Sequence, residues 1–303
     1  MINKQEKLTK VKLKGNESFN IREGWLRKGM RCVQEYPTLF SRDDAMEILG
    51  VGSKMVKSIR YWLRATGLTE ESTLVGRARE QRLTDNFGDI VNYHDPYFDD
   101  VFTLFLLHYN IVKDSEGLSV VWNIFFNNYN GQDFTKENMV EKCKEELNKR
   151  LAEEVAFSDS LFADECASIL RMYNATDVVE DPEESLGCPM VELGLIRKSA
   201  NNKGTYVKTP PARELLDKLA VFYVILDNMG DKDSVSFDSL INDPNNVGKV
   251  FNLDRVLINE YLDQLRASGY ITLNRTAGLD MVYVNTERTP QGIMREYYEK
   301  RMK

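Results

Sequence analysis

Residues 41–68 of this chain read SRDDAMEILGVGSKMVKSIRYWLRATGL, a stretch that is typical of a helix-turn-helix. The turn is predicted at residues 50–52, and Ser41 and Ser53 are suited to cap the two helices. The second helix has two opposed faces, one apolar with Met55, Val56, Ile59, Trp62 and Leu63, and one basic with Lys54, Lys57, Arg60 and Arg64. This pattern predicts a helix that packs into a core on one side and lies against nucleic acid on the other. A solvated charged face is the alternative.

The basic face stands out because the whole chain is acidic, with 40 Lys and Arg against 47 Asp and Glu in 303 residues. Residues 1–82 carry 17 basic and 10 acidic side chains, residues 83–182 carry 7 and 20, and residues 183–303 carry 16 and 17. The basic N-terminal region therefore predicts polyanion binding there. A simple fluctuation of charge along the chain is the alternative.

Composition excludes several other classes of function. Only two histidines are present, and the four cysteines lie far apart without a C-x-x-C pair, which disfavours a His-rich metal centre, a zinc site and a disulfide framework. The sequence contains no long apolar run and no secretory signal pattern, so we predict a cytoplasmic protein that does not contact membranes. No phosphate-binding glycine motif occurs, so no nucleotide cofactor is predicted.

Hydrophobic periodicity predicts a mostly α fold in three regions. Residues 1–82 are predicted to form a basic helix-turn-helix domain of the winged-helix kind. Residues 83–182 are predicted to form an acidic helical core. Residues 183–303 are predicted to form a C-terminal winged-helix domain with a small β-hairpin, because helical segments precede the alternating runs of YITLNRTAGLDMVYV at 270–284.

Three stretches resemble a known family. They are GNESFNIREGWLRKG at 15–29, continued by LFSRDDAMEILGVGSKMVKSIRYWLRATGL at 39–68; DPYFDDVFTLFLLHY at 95–109; and ESLGCPMVELGLI at 184–196. In this order they resemble the bacterial domain-of-unknown-function family 4007. Asn16 departs from the family pattern, in which histidine is expected, and this argues against a catalytic imidazole at that position.

The resemblance implies a role in DNA phosphorothioation, in which sulfur replaces a non-bridging phosphate oxygen, and in defence against phage. Relatives occur beside cysteine desulfurases and sulfotransfer enzymes of the phosphoadenosine-phosphosulfate-reductase type. The nicking component of the single-strand system looks similar to the family. The expected partners are therefore DNA and the sulfur-transfer and ATPase components of such a system, with a homodimer as a further expectation. We expect a DNA nicking endonuclease; the alternatives are a non-catalytic adaptor that recruits sulfur-transfer partners and a winged-helix transcriptional regulator.

The residues expected to contact DNA lie on two helices. They are Arg27 and Lys28 on the first, and Ser53, Lys54, Lys57, Arg60 and Arg64 on the second. Arg27 and Lys28 belong to a cluster with Glu17, Arg22 and Glu23, which is suited to hold a phosphate or to supply a catalytic carboxylate. Ordinary surface ion pairs around a packed Trp25 are the alternative.

Candidate catalytic residues are few. His94, Asp95 and Asp99, followed by Asp100, are the one place where an imidazole and several carboxylates lie close in sequence, and Glu17 and Glu23 are further candidates. A nuclease that uses a divalent metal such as Mg²⁺ needs oxygen ligands around an open coordination position. A turn followed by the start of a helix is the alternative for residues 94–100.

Overall fold

Helices predominate in the computed structural model of the chain, which describes residues 7–72, 78–131, 133–174, 187–200, 202–276, 279–284 and 287–301. Small antiparallel sheets accompany the helices. The predicted mostly α fold is therefore confirmed. Within the described residues, no helix is both long and apolar enough to cross a membrane.

The N-terminal elements follow the predicted helix-turn-helix. They are α1 (Trp25–Glu35), α2 (Ala45–Leu49), α3 (Ser53–Ala65), β1 (Thr69–Glu71) and β2 (Gln81–Leu83), with β1 and β2 paired antiparallel. The predicted apolar face of α3 is buried, except that Met55 is half-buried. The capping prediction for Ser41 is wrong: Ser41 ends a short 3-10 helix, Arg42 is extended, and Asp44 occupies the N-cap position of α2.

The central elements are α4 (Gly88–His94), α5 (Val101–Lys113), α6 (Val120–Asn128), β3 (Asp133–Phe134), α7 (Lys136–Arg150) and α8 (Asp159–Tyr173). α5 and α6 are buried almost throughout, and they form the centre of the helical core predicted for this region. At the start of α7, Thr135 and Asn138 form a capping box, in which each side chain accepts a backbone N–H of the other residue.

The C-terminal elements begin with a 3-10 helix, Pro189–Leu193, and the strands β4 (Ile196–Lys198) and β5 (Tyr206–Lys208). They continue with α9 (Lys218–Met229), β6 (Ser234–Ser236), α10 (Phe237–Asn242), α11 (Val247–Val250), α12 (Arg255–Ala267), β7 (Ile271–Thr276), β8 (Leu279–Val284) and α13 (Pro290–Arg301). The hairpin predicted within residues 270–284 is confirmed, since β7 and β8 pair from Ile271 and Val284 inwards. The strand order is β3-β5-β4 in one sheet and β6-β8-β7 in the other.

One apolar core runs through all three predicted regions. Buried side chains from Ile21 near the N-terminus to Tyr298 in α13 belong to a single continuous cluster. α13 packs against both α9 and α4, and so joins the C-terminal elements to the start of the central region. The boundaries predicted at residues 82 and 182 stay predictions.

Candidate nucleic-acid interface

The basic face of α3 borders a cleft of about 400 Å³, which also receives side chains from the N-terminal segment and from the β1–β2 region. Its charged lining within the described residues consists of five cations and two acids: Lys12, Lys57, Arg60, Arg64 and Arg79, with Glu17 and Glu71. We call this cleft the basic cleft. Because the cations outnumber the carboxylates, it is an electropositive site on an acidic protein.

Glu71, on β1, lies among the arginines of the basic cleft. Its Oε1 is 2.5 Å from Nη2 of Arg60 and 3.3 Å from Nη1 of Arg64, and its Oε2 is 3.7 Å from Nη1 of Arg79. Only 7% of the Glu71 side chain is exposed. One buried carboxylate therefore orients three guanidinium groups while neutralising a single positive charge.

Other acids also reach the basic face, although the sequence of α3 contains none. Arg64 pairs with Glu116 in the segment between α5 and α6, and Nζ of Lys57 lies 3.6 Å from Oε1 of Glu17. Lys57 nevertheless keeps 68% of its side chain exposed, and Lys54 is exposed as well. The two lysines are therefore the cations of α3 that are most accessible to a polyanion.

The start of α3 is open to solvent. The capping prediction for Ser53 is wrong, because Ser53 is the exposed first residue of the helix and the N-cap residue is Gly52. Gly52 has no side chain that could accept the first N–H groups. Such free backbone N–H groups, together with the positive end of the helix dipole, favour a phosphate. Lys54 lies beside them, so backbone and side-chain donors are available at the same end of α3.

Arg27 and Lys28, on α1, have different surroundings. Nζ of Lys28 donates a hydrogen bond of 2.9 Å to the carbonyl of Leu49, the last residue of α2, and so stabilises the end of that helix. The guanidinium carbon of Arg27 lies 3.7 Å from the ring centre of Tyr97. Both basic residues are exposed, but each already has a partner within the protein.

Glu17 lies in a turn with an uncommon backbone. Lys14, Glu17 and Ser18 all have positive φ angles, of 63°, 49° and 68°, although none of them is glycine. The buried Asn16 holds this turn: its amide donates to Oγ of Ser168 on α8, at 3.1 Å, and its Oδ1 accepts the N–H of Ser18, at 3.0 Å. The strain is thus maintained by buried contacts, and it places Glu17 beside Lys57.

The Asp95 carboxylate is hydrogen-bonded within the turn that precedes α5. Its Oδ1 accepts the N–H of Asp99 at 3.0 Å, and its Oδ2 accepts the N–H of Asp100 at 3.2 Å and the hydroxyl of Thr103 at 2.5 Å. Burial raises the pKa of Asp95, and its hydrogen bonds oppose that shift. This carboxylate therefore organises the turn before α5, as the alternative interpretation of the sequence suggests.

His94 and Asp99 lie on either side of this turn. The His94 ring stacks on Tyr298 of α13 at 5.0 Å, and burial, followed by the nearby Arg295, lowers the pKa of His94. Asp99 is exposed, whereas Asp100 is buried and binds Nη1 of Arg301 at 2.6 Å. Within the described residues, no three His, Cys, Asp or Glu side chains are placed so as to hold a metal ion. The catalytic assignments of His94, Asp95 and Asp99 stay predictions.

A second cleft, of about 530 Å³, brings two candidate carboxylates together. Glu23 precedes α1 and Asp99 precedes α5, and both line this cleft with Glu192 of the 3-10 helix. The two clusters considered separately in the sequence, around residues 17–28 and 94–100, therefore meet at one place on the surface.

Sequence reasoning did not identify Lys12, Glu71, Glu116 or Arg79 as parts of the interface. Of these residues, only Arg79 could have been identified from its neighbours in the sequence, because it belongs to the basic stretch between residues 76 and 82. The others come close to α3 through tertiary contacts between segments far apart in the chain, which spacing along one helix does not reveal.

Together these elements define a predominantly α-helical protein with a basic cleft beside its N-terminal helices. The chain belongs to the DUF4007 family of proteins of unknown function, whose profile matches residues 13–298, so the resemblance is confirmed. It is similar to two crystal structures of SspB, one of them magnesium ion-bound. Each has 26% sequence identity and a TM-score of 0.79, over 95% of this chain and 87% of the SspB chain. No curated protein matches the sequence.

Proposed function

We propose that this chain is a DNA-binding component of a phosphorothioation system and that it holds duplex DNA against α3 and the basic cleft. The observation that carries the proposal is the set of five cations around the cleft, beside the open start of α3. Cations and free backbone N–H groups are the donors that proteins use to contact DNA phosphates. The family and the likeness to SspB support a phosphorothioation-related role.

The order of elements supports a winged-helix mode of binding at the N-terminus. α1, α2 and α3 are followed directly by the β1–β2 pair, as they are in a winged helix. In helix-turn-helix proteins the second helix of the motif enters the major groove while neighbouring segments contact the backbone. α3 would then lie in the groove, with Lys54 and Lys57 towards the phosphates.

Charge reversal tests the proposal. The double variant Lys54→Glu, Lys57→Glu should weaken binding to a labelled duplex at least tenfold in a fluorescence anisotropy titration, and should make log Kd less dependent on log salt by about 2, since each phosphate contact contributes about 0.9 to that slope. Lys142→Glu is the matched control, because Lys142 is an exposed lysine on α7, away from the cleft. Equal affinities of the double variant and the wild type would contradict the proposal.

DNA nicking is a second candidate, and the magnesium ion bound in one SspB structure favours it. The described residues of this chain do not fit a preformed metal site, because no three ligands converge. No cleavage step is therefore derived from them. The test is conversion of supercoiled plasmid to the open circular form with Mg²⁺ and with a chelator. No conversion in either condition would contradict nicking and leave the non-catalytic alternatives, an adaptor and a transcriptional regulator.

A further inference from the structure

The second cleft has an aromatic wall, an apolar floor and an acidic rim. Its floor within the described residues is formed by Ile21, Leu26, Leu104 and Val191, and Tyr97 stands at its side. We call it the tyrosine cleft. Its volume of about 530 Å³ falls in the range of small-molecule sites, which cover about 300–1,000 Å³. It is therefore large enough to take an aromatic ring system.

Tyr97 is a ready stacking surface. It is 58% exposed, which is unusual for a large side chain in this structure, and the Arg27 guanidinium covers one face of its ring at 3.7 Å. The next residue, Phe98, has a φ of 60°, a left-handed conformation that is uncommon for an aromatic residue. The backbone at this point is thus held in a strained conformation beside an exposed ring, as often occurs at binding sites.

One arginine lines the tyrosine cleft and a second is packed on its tyrosine. Arg22 lines the cleft and lies 5.4 Å from the ring centre of Phe19 and 5.3 Å from that of Trp25. Arg27 is held on Tyr97. Guanidinium groups fixed on aromatic rings stack on bases and also bind phosphates.

The carboxylates restrict what enters. Glu23, Asp99 and Glu192 line the tyrosine cleft, and none of them forms an ion pair within the described residues. Three such anions repel a phosphate from the interior, but they accept hydrogen bonds from amino groups. The exocyclic amino groups of adenine, cytosine and guanine are donors of this kind, as in the pairing of Asp or Glu with cytosine N4. Thymine has no such amino group.

The tyrosine cleft is close to the basic cleft along the chain. Gly15 and Glu17 line the basic cleft, and Arg22 and Glu23 line the tyrosine cleft. Arg22 lies five positions after Glu17 in the chain, so their Cα atoms are at most about 18 Å apart even if that segment were fully extended. A nucleic acid bound at the first cleft is therefore within reach of the second.

We infer that the tyrosine cleft receives one unpaired, amino-bearing base of the DNA that is held on α3. This inference rests on the proposed function and adds a subsite to it. The base stacks on the face of the Tyr97 ring that Arg27 leaves free, its amino group donates to the carboxylates of the rim, and Arg22 binds the adjoining phosphate. An already unpaired base enters more readily than a paired one, because no pairing or stacking energy has to be given up.

Three labelled duplexes of equal length test the inference by anisotropy: fully paired, with a single adenine bulge, and with a single thymine bulge. The wild type should bind the adenine bulge about tenfold more tightly than the paired duplex, a factor within the range measured for base–aromatic stacking. For the thymine bulge, the increase in affinity over the paired duplex should be smaller. Tyr97→Ala should bind the adenine bulge no more tightly than it binds the paired duplex, and Tyr97→Trp should keep the wild-type preference.

Tyr93→Ala is the matched control, because Tyr93 is 79% exposed and does not line the tyrosine cleft. It should keep the wild-type preference. Equal wild-type affinities for bulged and paired duplexes would overturn the inference and leave the proposed function intact. Equal losses in Tyr93→Ala and Tyr97→Ala would also overturn it, and equal binding of adenine and thymine bulges would overturn the role of the carboxylates. Absence of binding to every duplex would contradict both the inference and the proposed function.

Discussion

Arg60 binds a single carboxylate oxygen of Glu71 with two of its nitrogens, Nε at 2.7 Å and Nη2 at 2.5 Å. The protein thus places its own anion among the cations that we propose to contact DNA. The carboxylate is largely buried, so it is a fixed part of the basic cleft. A DNA phosphate at this position has to compete with Glu71 for the same guanidinium group.

Glu71→Gln should therefore tighten duplex binding. The variant removes one negative charge a few ångströms from the expected phosphate position, and the interaction of two unit charges at that distance in water is about 1 kcal/mol, roughly fivefold in Kd. Thermal unfolding should occur at a lower temperature, because the charged hydrogen bonds to Arg60 are lost. A titration with duplex DNA measures the change in Kd, and thermal melting of the same sample measures the change in unfolding temperature. Weaker binding would instead indicate that Glu71 is needed to orient the arginines.

Gly15→Ala should disturb the turn that carries Glu17. A Cβ at residue 15 would lie 2.6 Å from Cδ2 of the Tyr61 ring, and that ring is held by its hydroxyl, which donates to the carbonyl of Leu118 at 3.1 Å. We expect a loss of about 1–3 kcal/mol in the free energy of unfolding, as is usual for overpacking, measured by urea denaturation. Gly187→Ala is the control, since its Cβ would meet nothing within 4 Å. Equal stabilities of the two variants would contradict the predicted clash.

Glu165 should make the protein less stable as the pH rises towards neutrality. Burial raises its pKa to about 7 from the usual 4.5, while the backbone N–H of Lys14, 2.5 Å away, opposes the shift. The folded state therefore holds a proton that the unfolded state releases between pH 4.5 and 7. The stability that this proton contributes is fully present below pH 4.5 and is lost as the pH rises through 7.

Glu165→Gln should flatten this part of the pH profile, because glutamine cannot titrate. Urea denaturation at pH 5 and at pH 7.5 measures the difference in wild type and variant. Exposed Glu141 on α7 provides the control substitution Glu141→Gln, which should leave the profile unchanged. A wild-type slope that persists in Glu165→Gln would show that another group is responsible.

Lys208 should have the opposite effect on the pH dependence of stability: it should make the protein more stable as the pH rises above 7. Its Nζ lies 3.4, 3.1 and 3.2 Å from the carbonyls of Phe125, Phe126 and Tyr129 at the end of α6, and burial lowers its pKa to about 7 from 10.5. The unfolded state therefore binds the additional proton between pH 7 and 10.5. Stability should rise with pH across that range, by at most about 1.4 kcal/mol per pH unit, and be lost as the pH falls through 7.

Lys208→Met should abolish that rise while lowering stability at every pH, since three carbonyls lose their donor. Denaturation at pH 7 and at pH 9 separates the change of slope from the constant loss. Lys142→Met, at an exposed position on α7, should change neither the rise of stability with pH nor the stability itself. An unchanged rise between pH 7 and 9 in Lys208→Met would exclude Lys208 as its source.

Periodic features of this fold could be predicted from the sequence, whereas pairings between distant segments could not. The apolar face of α3, the buried α5 and α6 and the C-terminal hairpin each repeat a local pattern that is visible in one stretch. β3 is only two residues long, and it pairs with β5 more than seventy residues later, so no local pattern marks it. The same holds for the site, because Lys57 was predicted from its helix, whereas Glu71 and Glu116 reach that helix only in the folded chain.

A comparison of Asp95→Ala with Asp99→Ala should distinguish a structural role from a catalytic one. Asp95→Ala removes three hydrogen bonds at the turn before α5, and we expect it to lower the melting temperature, with the cost of about 1–3 kcal/mol that is usual when a buried donor loses its acceptor. Asp99→Ala removes an exposed carboxylate and should leave the melting temperature unchanged.

If Asp99, which lines the tyrosine cleft, acts in DNA nicking, Asp99→Ala should lose the conversion of supercoiled plasmid while remaining folded, because its side chain is exposed. Asp164→Ala, on α8 and outside the cleft, is the control. Wild-type nicking in Asp99→Ala would remove this carboxylate from the catalytic candidates. Loss of nicking in Asp95→Ala counts towards catalysis only if its melting temperature stays unchanged, because a displaced turn would also displace Asp99.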